Sequence, residues 1–268
     1  MPDILHSAAF MIAGCVAGMM NAVAGGGTLV TFPTLIFAGL PSIVANATST
    51  IALLPAALSS AFSYRTAARS VSRWLTVFAP VSLLGGLTGG ILLVRTPSRV
   101  FDTLVPFLIL FATVLFMANS SFNRLSARVA GRAAGAGLEA RHEEGPPRSW
   151  VAGAALFQLA VAVYGGYFGA GIGILMLASL GLLGFKDVHA MNALKVRLGF
   201  LINVVAALYF ILNGLVDWPS AGVMAVGTIA GGYAGAHFAQ KIPQARVRLL
   251  ITLIGLVISA VMFIKQFA

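Results

Sequence analysis

The sequence predicts an all-α integral membrane protein of two inverted-topology repeats, each a glycine-broken helical hairpin followed by three transmembrane helices. Three observations lead there. The 268 residues are 59% hydrophobic and 9% charged, with mean hydropathy +0.96, whereas a soluble domain carries about 25% charged residues. The chain repeats itself: Asn46 returns as Asn192, Gly86 as Gly232, Gly89 as Gly235 and Pro97 as Pro243, each 146 residues on, while Gly26 and Gly39 return as Gly171 and Gly184 at a spacing of 145. The basic residues gather in short clusters between apolar spans, which is how topology is encoded. So long a repeat in so apolar a chain points to a transporter with two-fold pseudo-symmetry.

Six segments read as plain spans of about 20 residues: 45–64, 74–94, 101–119, 194–213, 219–239 and 247–267. Two are longer and interrupted: residues 5–39 by Gly25-Gly26-Gly27, and residues 150–185 by Gly169-Ala170-Gly171-Ile172-Gly173. A continuous helix of about 35 residues would reach roughly 52 Å against a hydrocarbon core of about 30 Å, so each must turn at its glycines. Charge counting chooses the hairpin. If each broken segment goes in and returns, 14 of the 17 Lys and Arg share one face and only Arg95, Arg99 and Lys265 take the other. If each crosses once, the split is 9 to 8. The positive-inside rule therefore puts the central loop in the cytoplasm and both termini outside. An odd number of net crossings per half inverts the second repeat relative to the first, whether the hairpins span or re-enter. Trp74 and Trp218 begin equivalent helices on opposite faces, where interfacial tryptophans belong. The segment ending at Met20 lacks a basic n-region and reads as a retained span rather than a cleaved signal peptide. The organisation is thus residues 1–119, an N-terminal transmembrane repeat; 120–149, a cytoplasmic linker with a weak helix around 122–129; and 150–268, the inverted repeat.

Several function classes are excluded by what the chain lacks. A net charge of +10 comes without a nucleic-acid recognition motif, so no nucleic-acid partner is expected. No phosphate-binding Gly-x-x-x-x-Gly-Lys-Ser/Thr loop is present, and the 169–173 glycines have the wrong spacing for a dinucleotide fingerprint. Cys15 is the single cysteine, and the four histidines show no ligand spacing, so neither metal nor cofactor is expected. Every carboxylate falls at a predicted helix end or loop, which argues against a proton relay or cation site in mid-membrane. No nucleophile or acid–base cluster suggests an enzyme.

The glycine breaks carry the chemistry. Half-helices beginning at Thr28 and near Gly173 would each expose backbone N–H groups and the positive end of a dipole, and glycine allows an anion to approach the backbone. The candidate binding residues are Asn21, Gly25, Gly26, Gly27, Thr28, Asn46, Thr48 and Ser49 in the first repeat, and Gly169, Gly171, Gly173, Asn192 and Lys195 in the second. Lys195 stands where the first repeat has Ser49, so the paired sites hold a single cation. It has two readings, a substrate contact or a snorkelling interfacial charge. Gly85, Gly86, Gly89 and Gly90, with Gly231, Gly232 and Gly235, read as close-packing positions. Pro33 and Pro55 read as kinks or helix bounds.

The run Gly18-x-x-Asn21-Ala-Val-Ala-Gly-Gly-Gly-Thr28 followed by Pro33, with the later Gly169-Ala-Gly-Ile-Gly173 and Asn192-Ala-Leu-Lys195, resembles the TauE/SafE family of sulfite exporters across nearly the whole chain. The second copy departs from the first at Ala178, opposite Pro33, and at Lys195, opposite Ser49. The resemblance implies a bacterial inner-membrane carrier of small sulfur-containing anions such as sulfite, thiosulfate or sulfoacetate, working as a monomer or homodimer in the lipid bilayer. Driving force from the membrane potential or a proton gradient fits anion export. Another small organic anion, a cation, or a membrane-embedded enzyme are the competing readings.

Overall fold

A computed structural model describes residues 4–23, 26–63, 71–135, 148–182, 185, 188–238 and 244–267. Its elements are ten α-helices: α1 (Ile4–Val23), α2 (Thr28–Phe37), α3 (Ser42–Ser63), α4 (Ser72–Arg95), α5 (Ser98–Gly135), α6 (Arg148–Tyr167), α7 (Ile172–Leu182), α8 (Val188–Leu212), α9 (Trp218–Phe238) and α10 (Gln244–Phe267). Among the described residues no strand occurs. Among the described residues, four helices are long and apolar enough to cross a bilayer: Ser42–Phe62, Ser72–Arg95, Ser98–Ala118 and Ala190–Leu212. With the shorter apolar helices Leu5–Asn21, Thr28–Phe37, Val151–Tyr167 and Thr252–Ile264, this is a multi-pass membrane protein.

Both over-long segments break at their glycines. The first becomes α1 and the 10-residue α2; the second becomes α6 and the 11-residue α7. A half-helix of that size is about 15 Å long, half the hydrocarbon core. Gly26 and its repeat equivalent Gly171 both take left-handed backbone, with φ of +91° and +79°, a region that costs an L-residue with a side chain about 1–2 kcal/mol. The expected helices are otherwise present with small changes of end. Pro33 and Pro55 lie inside α2 and α3 rather than bounding them. α5 runs on through Gly135, so the weak helix expected around 122–129 is continuous with the span before it. Asp217 caps α9: its Oδ2 accepts the Ser220 N–H at 3.1 Å and its carbonyl accepts Ala221 N–H at 2.9 Å, satisfying donors that a helix start leaves open.

Glycine determines which helices touch. α1 packs on α9, and α4 on α6 and α8. Gly14 lies against the Met224 carbonyl and Gly227, and Gly18 against Thr228 and Gly232, so α1 and α9 run in the same direction. Gly85 faces Leu159 and Ala162, and Gly89 faces Val163 and Tyr167, so α4 and α6 also run together. A methyl group at Gly18 would stand 2.7 Å from the Gly232 nitrogen, and one at Gly89 would stand 2.7 Å from the Tyr167 nitrogen. Lipid tails supply no hydrophobic drive between helices, so close backbone approach of this kind is what holds them. Polar pairs add to it: Gln158 Nε2 donates to Ser82 Oγ at 2.9 Å between α6 and α4, and Thr228 Oγ1 donates to the Ala52 carbonyl at 2.8 Å between α9 and α3. Thr48 Oγ1 accepts the Asp217 N–H at 3.0 Å. The partners 48 with 217 and 52 with 228 set α3 in the same direction as α9, and therefore as α1.

The larger apolar cluster gathers Phe32, Phe101, Phe116, Phe168 and Phe210 around the ends of the half-helices. Phe32 of α2 meets Phe168 edge-on, with ring centroids 5.4 Å apart. A second cluster joins α4, α6, α7 and α8 through Phe78, Met176, Leu194 and Ile202.

Candidate functional site

The first break is held by a relay of short polar side chains. Asn21 Oδ1, on the last turn of α1, accepts the Gly27 N–H at 3.0 Å. Thr31 Oγ1 donates to the Gly27 carbonyl at 3.2 Å and lies 2.6 Å from Ser49 Oγ on α3. With the Thr31 proton committed to Gly27, Ser49 is the donor of that second bond. Thr31 and Ser49 are fully buried. The phenyl ring of Phe116, on α5, packs directly against the bare α-carbon of Gly26.

The second break cannot use that relay. At the positions of Thr31 and Ser49 it carries Met176 and Lys195, which cannot form the same hydroxyl pair. Instead Tyr164 Oη donates to the Ala170 carbonyl at 2.8 Å, and Gly169 N–H bonds the Tyr164 carbonyl at 3.2 Å. The aliphatic stem of Lys195 lies over Gly173, with Cδ 3.2 Å from where a β-carbon would be. Glycine at 173 thus makes the groove in which the lysine stem lies.

Between the breaks lies a cavity of about 130 Å³. Asn21, Gly26 and Thr28 of the first repeat line it, and so do Gly169, Gly171, Gly173 and Lys195 of the second. The starts of α2 and α7 therefore both open on the same space, and each contributes the positive end of a helix dipole. Lys195 projects from the second turn of α8, half-buried. Its helix neighbours one and two turns on, Gly199 and Asn203, line the same wall. Leu53, Phe116, Ile174, Met176 and Phe200 supply apolar surface. Among the described lining residues there is no carboxylate, imidazole or thiol. The available chemistry is charge and hydrogen-bond donation, which suits holding an anion.

The other candidate residues lie outside this lining. Gly27 is in the turn, bonded to Asn21. Ser49 is used in the relay and Thr48 in the bond to Asp217. Asn46 Nδ2 donates to the Tyr167 carbonyl at 3.0 Å, tying α3 to the end of α6, while its Oδ1 is buried without a hydrogen-bond partner among the described residues. Asn192 is half-buried and does not line the cavity. Gly25 falls outside the described residues. Sequence reasoning did not single out Asn203 and Phe116. Asn203 was findable, because it lies eight residues after Lys195 and so on the same helix face. Phe116 carries no such signal: its contact with Gly26 spans 90 residues of chain and depends on how α5 docks.

The family model "Sulfite exporter TauE/SafE" matches residues 10–262. A "Probable membrane transporter protein" of Haemophilus influenzae is 28% identical over 256 residues, covering 94% of this chain and 92% of that protein. "Probable membrane transporter protein ORF9" of a Sinorhizobium species is 26% identical, covering 95% and 91%. "Probable membrane transporter protein YfcA" of Escherichia coli K12 is 27% identical over 246 residues, covering 91% and 84%. No solved structure is a significant match.

Proposed function

We propose, on the premise that this chain belongs to the TauE/SafE sulfite exporter family, that it exports a small sulfur-containing oxyanion by alternating access. Sulfite, thiosulfate and a short sulfonate such as sulfoacetate are the candidates. The observation that carries the reading is the cavity in which both half-helix starts and Lys195 converge with no carboxylate among the described lining residues. Binding would fall to Asn21, Thr28 and Lys195, with close backbone approach at Gly26, Gly169, Gly171 and Gly173. Gly27 and Ser49 hold the shape of the first break, Thr48 ties α3 to the start of α9, and Asn46 ties α3 to the end of α6. An inside-negative potential favours anion exit by about 2.3 kcal/mol per charge per 100 mV, so no chemical energy source is needed.

Two observations support inverted repeats within this reading. Exchanging α1 to α5 with α6 to α10 turns the α1–α9 contact into α6–α4, and α3–α9 into α8–α4, and all four contacts occur. Chain direction agrees as well: α1, α3 and α9 run one way. α4, α6 and α8 run the other, since Asn46 at the start of α3 bonds the end of α6, and Gly86 of α4 faces Ile202 of α8 ahead of Gly90 facing Ala206. The lopsided basic charge supports a bacterial inner-membrane protein with both termini periplasmic and the central loop cytoplasmic.

The test is flux in proteoliposomes under an imposed potential, with sulfite, thiosulfate, sulfoacetate, sulfate and chloride, for the native protein and Lys195→Ala. Saturable, potential-driven flux of a sulfur oxyanion that is lost in the variant is the expected result. Absence of flux with every sulfur oxyanion, or selective flux of cations, overturns the proposal.

A further inference from the structure

The charge of the cavity has an electrical consequence. Among the described residues that line it, Lys195 is the one formally charged group. The others are glycines, the neutral amides of Asn21 and Asn203, the Thr28 hydroxyl, the Ser60 hydroxyl already donated to the Ala56 carbonyl at 2.9 Å, and apolar side chains. Asn21 has committed its oxygen to Gly27, which leaves its NH₂ as a donor. Helix dipoles strengthen the local positive potential but carry no net charge from one side of the membrane to the other. An alternating-access site therefore moves one positive charge when empty, and that charge plus the charge of its ligand when full.

Resting on the oxyanion-carrier reading, we infer that among the candidates this site takes a singly charged oxyanion with a short apolar tail, a monoanionic sulfonate rather than the dianions thiosulfate and sulfoacetate, and that pairing with Lys195 makes the loaded site electrically neutral. The anionic head lies between Lys195, Asn203 and the start of α7, and the tail lies against Leu53, Phe116 and Met176. A doubly charged oxyanion leaves its second charge without a compensating cation in a cavity of mixed apolar wall, where desolvation is costly. The membrane potential then does no work on the loaded step. It acts on the return of the empty, positively charged site, which an inside-negative potential draws toward the cytoplasm. Net export is still favoured by the potential, because one negative charge leaves per cycle, but the voltage-sensitive step is the one without substrate.

The experiment compares net efflux with homo-exchange in proteoliposomes of the full chain, at zero and inside-negative potential, using methanesulfonate as the monoanion and sulfate as the dianion. Homo-exchange uses only the loaded step. Net methanesulfonate efflux should rise several-fold with the potential, while methanesulfonate exchange changes by less than twofold and exceeds sulfate exchange at least tenfold. Lys195→Arg should keep this pattern, and Lys195→Gln, which keeps a hydrogen-bond donor without the charge, should slow exchange strongly and make what remains potential-dependent. Exchange as voltage-sensitive as net efflux in the native protein overturns the neutral loaded state, with no variant required. Sulfate exchange equal to or faster than methanesulfonate exchange overturns the charge match and leaves the carrier standing. Failure of both anions and of sulfite to move overturns the carrier reading and this inference with it.

Discussion

Gly26→Ala should damage this protein more than the same change at its repeat equivalent, Gly171, and the difference traces to one phenyl ring. Both glycines take left-handed backbone, at φ +91° and +79°, so alanine at either costs about 1–2 kcal/mol. At Gly171 the new methyl group meets only ordinary contacts, Leu115 Cδ1 at 3.5 Å and the Ala112 α-carbon at 3.7 Å. At Gly26 it collides with the ring of Phe116, which is itself 1% exposed and must shift to admit it. Overpacking of that kind adds about 1–3 kcal/mol. The expected losses are therefore about 1–2 kcal/mol for Gly171→Ala and about 2–5 kcal/mol for Gly26→Ala. The assay is unfolding in detergent micelles by denaturant titration, run as a double-mutant cycle with Phe116→Ala. In the Phe116→Ala background, Gly26→Ala should cost only its backbone part, leaving a coupling of about 1–3 kcal/mol, whereas Gly171→Ala should show almost none. Equal losses at the two glycines, or zero coupling between 26 and 116, would refute the claim that the ring closes on the break.

Three further outcomes are expected. Ser49→Ala removes the donor to Thr31 and should cost about 1 kcal/mol, with transport rate falling as the Gly27 turn loosens; unchanged melting and unchanged flux would show that the relay does not hold the break. Gln158→Leu breaks the buried amide–hydroxyl bond to Ser82 and should cost about 0.6–2 kcal/mol, the range for interhelical hydrogen bonds in membranes, read by the same unfolding titration. Topology is open to labelling in a Cys15→Ser background: a cysteine at exposed Arg73 should react only from the cytoplasmic side and one at exposed Arg99 only from the periplasmic side, and labelling of both from one side would contradict the hairpin arrangement.

Much of the fold was legible because membrane helices declare themselves through length and hydropathy. The glycine interruptions had to be breaks, since a 35-residue helix does not fit a bilayer about 30 Å thick, and α1, α2, α6 and α7 are separated where the glycines fall. The close-packing role read for Gly85, Gly86, Gly89 and Gly231 corresponds to the observed backbone contacts with α6, α8 and Cys15. The helix partners were not legible, because lipid-facing and helix-facing surfaces are equally apolar and leave no amphipathic stripe to read. Gly14 and Gly18 carry a Gly-x-x-x-Gly spacing, yet nothing local says that α9 is the helix they meet.

By itself the sequence determined that this chain is helical and membrane-embedded, that it repeats, that its two glycine runs interrupt helices, and that one repeat carries a lysine where the other carries a serine. Those properties follow from composition, length and spacing, which act locally or over one helix. The tertiary structure alone decided what Lys195 and Ser49 face. Ser49 is buried in a hydroxyl relay with Thr31. Lys195, opposite Met176 instead of a threonine, lies over Gly173 at the wall of a cavity shared by both breaks. The two readings that the sequence left open for Lys195 depend on which surface of α8 meets α7, and that is set by side-chain packing between segments that no short-range pattern encodes.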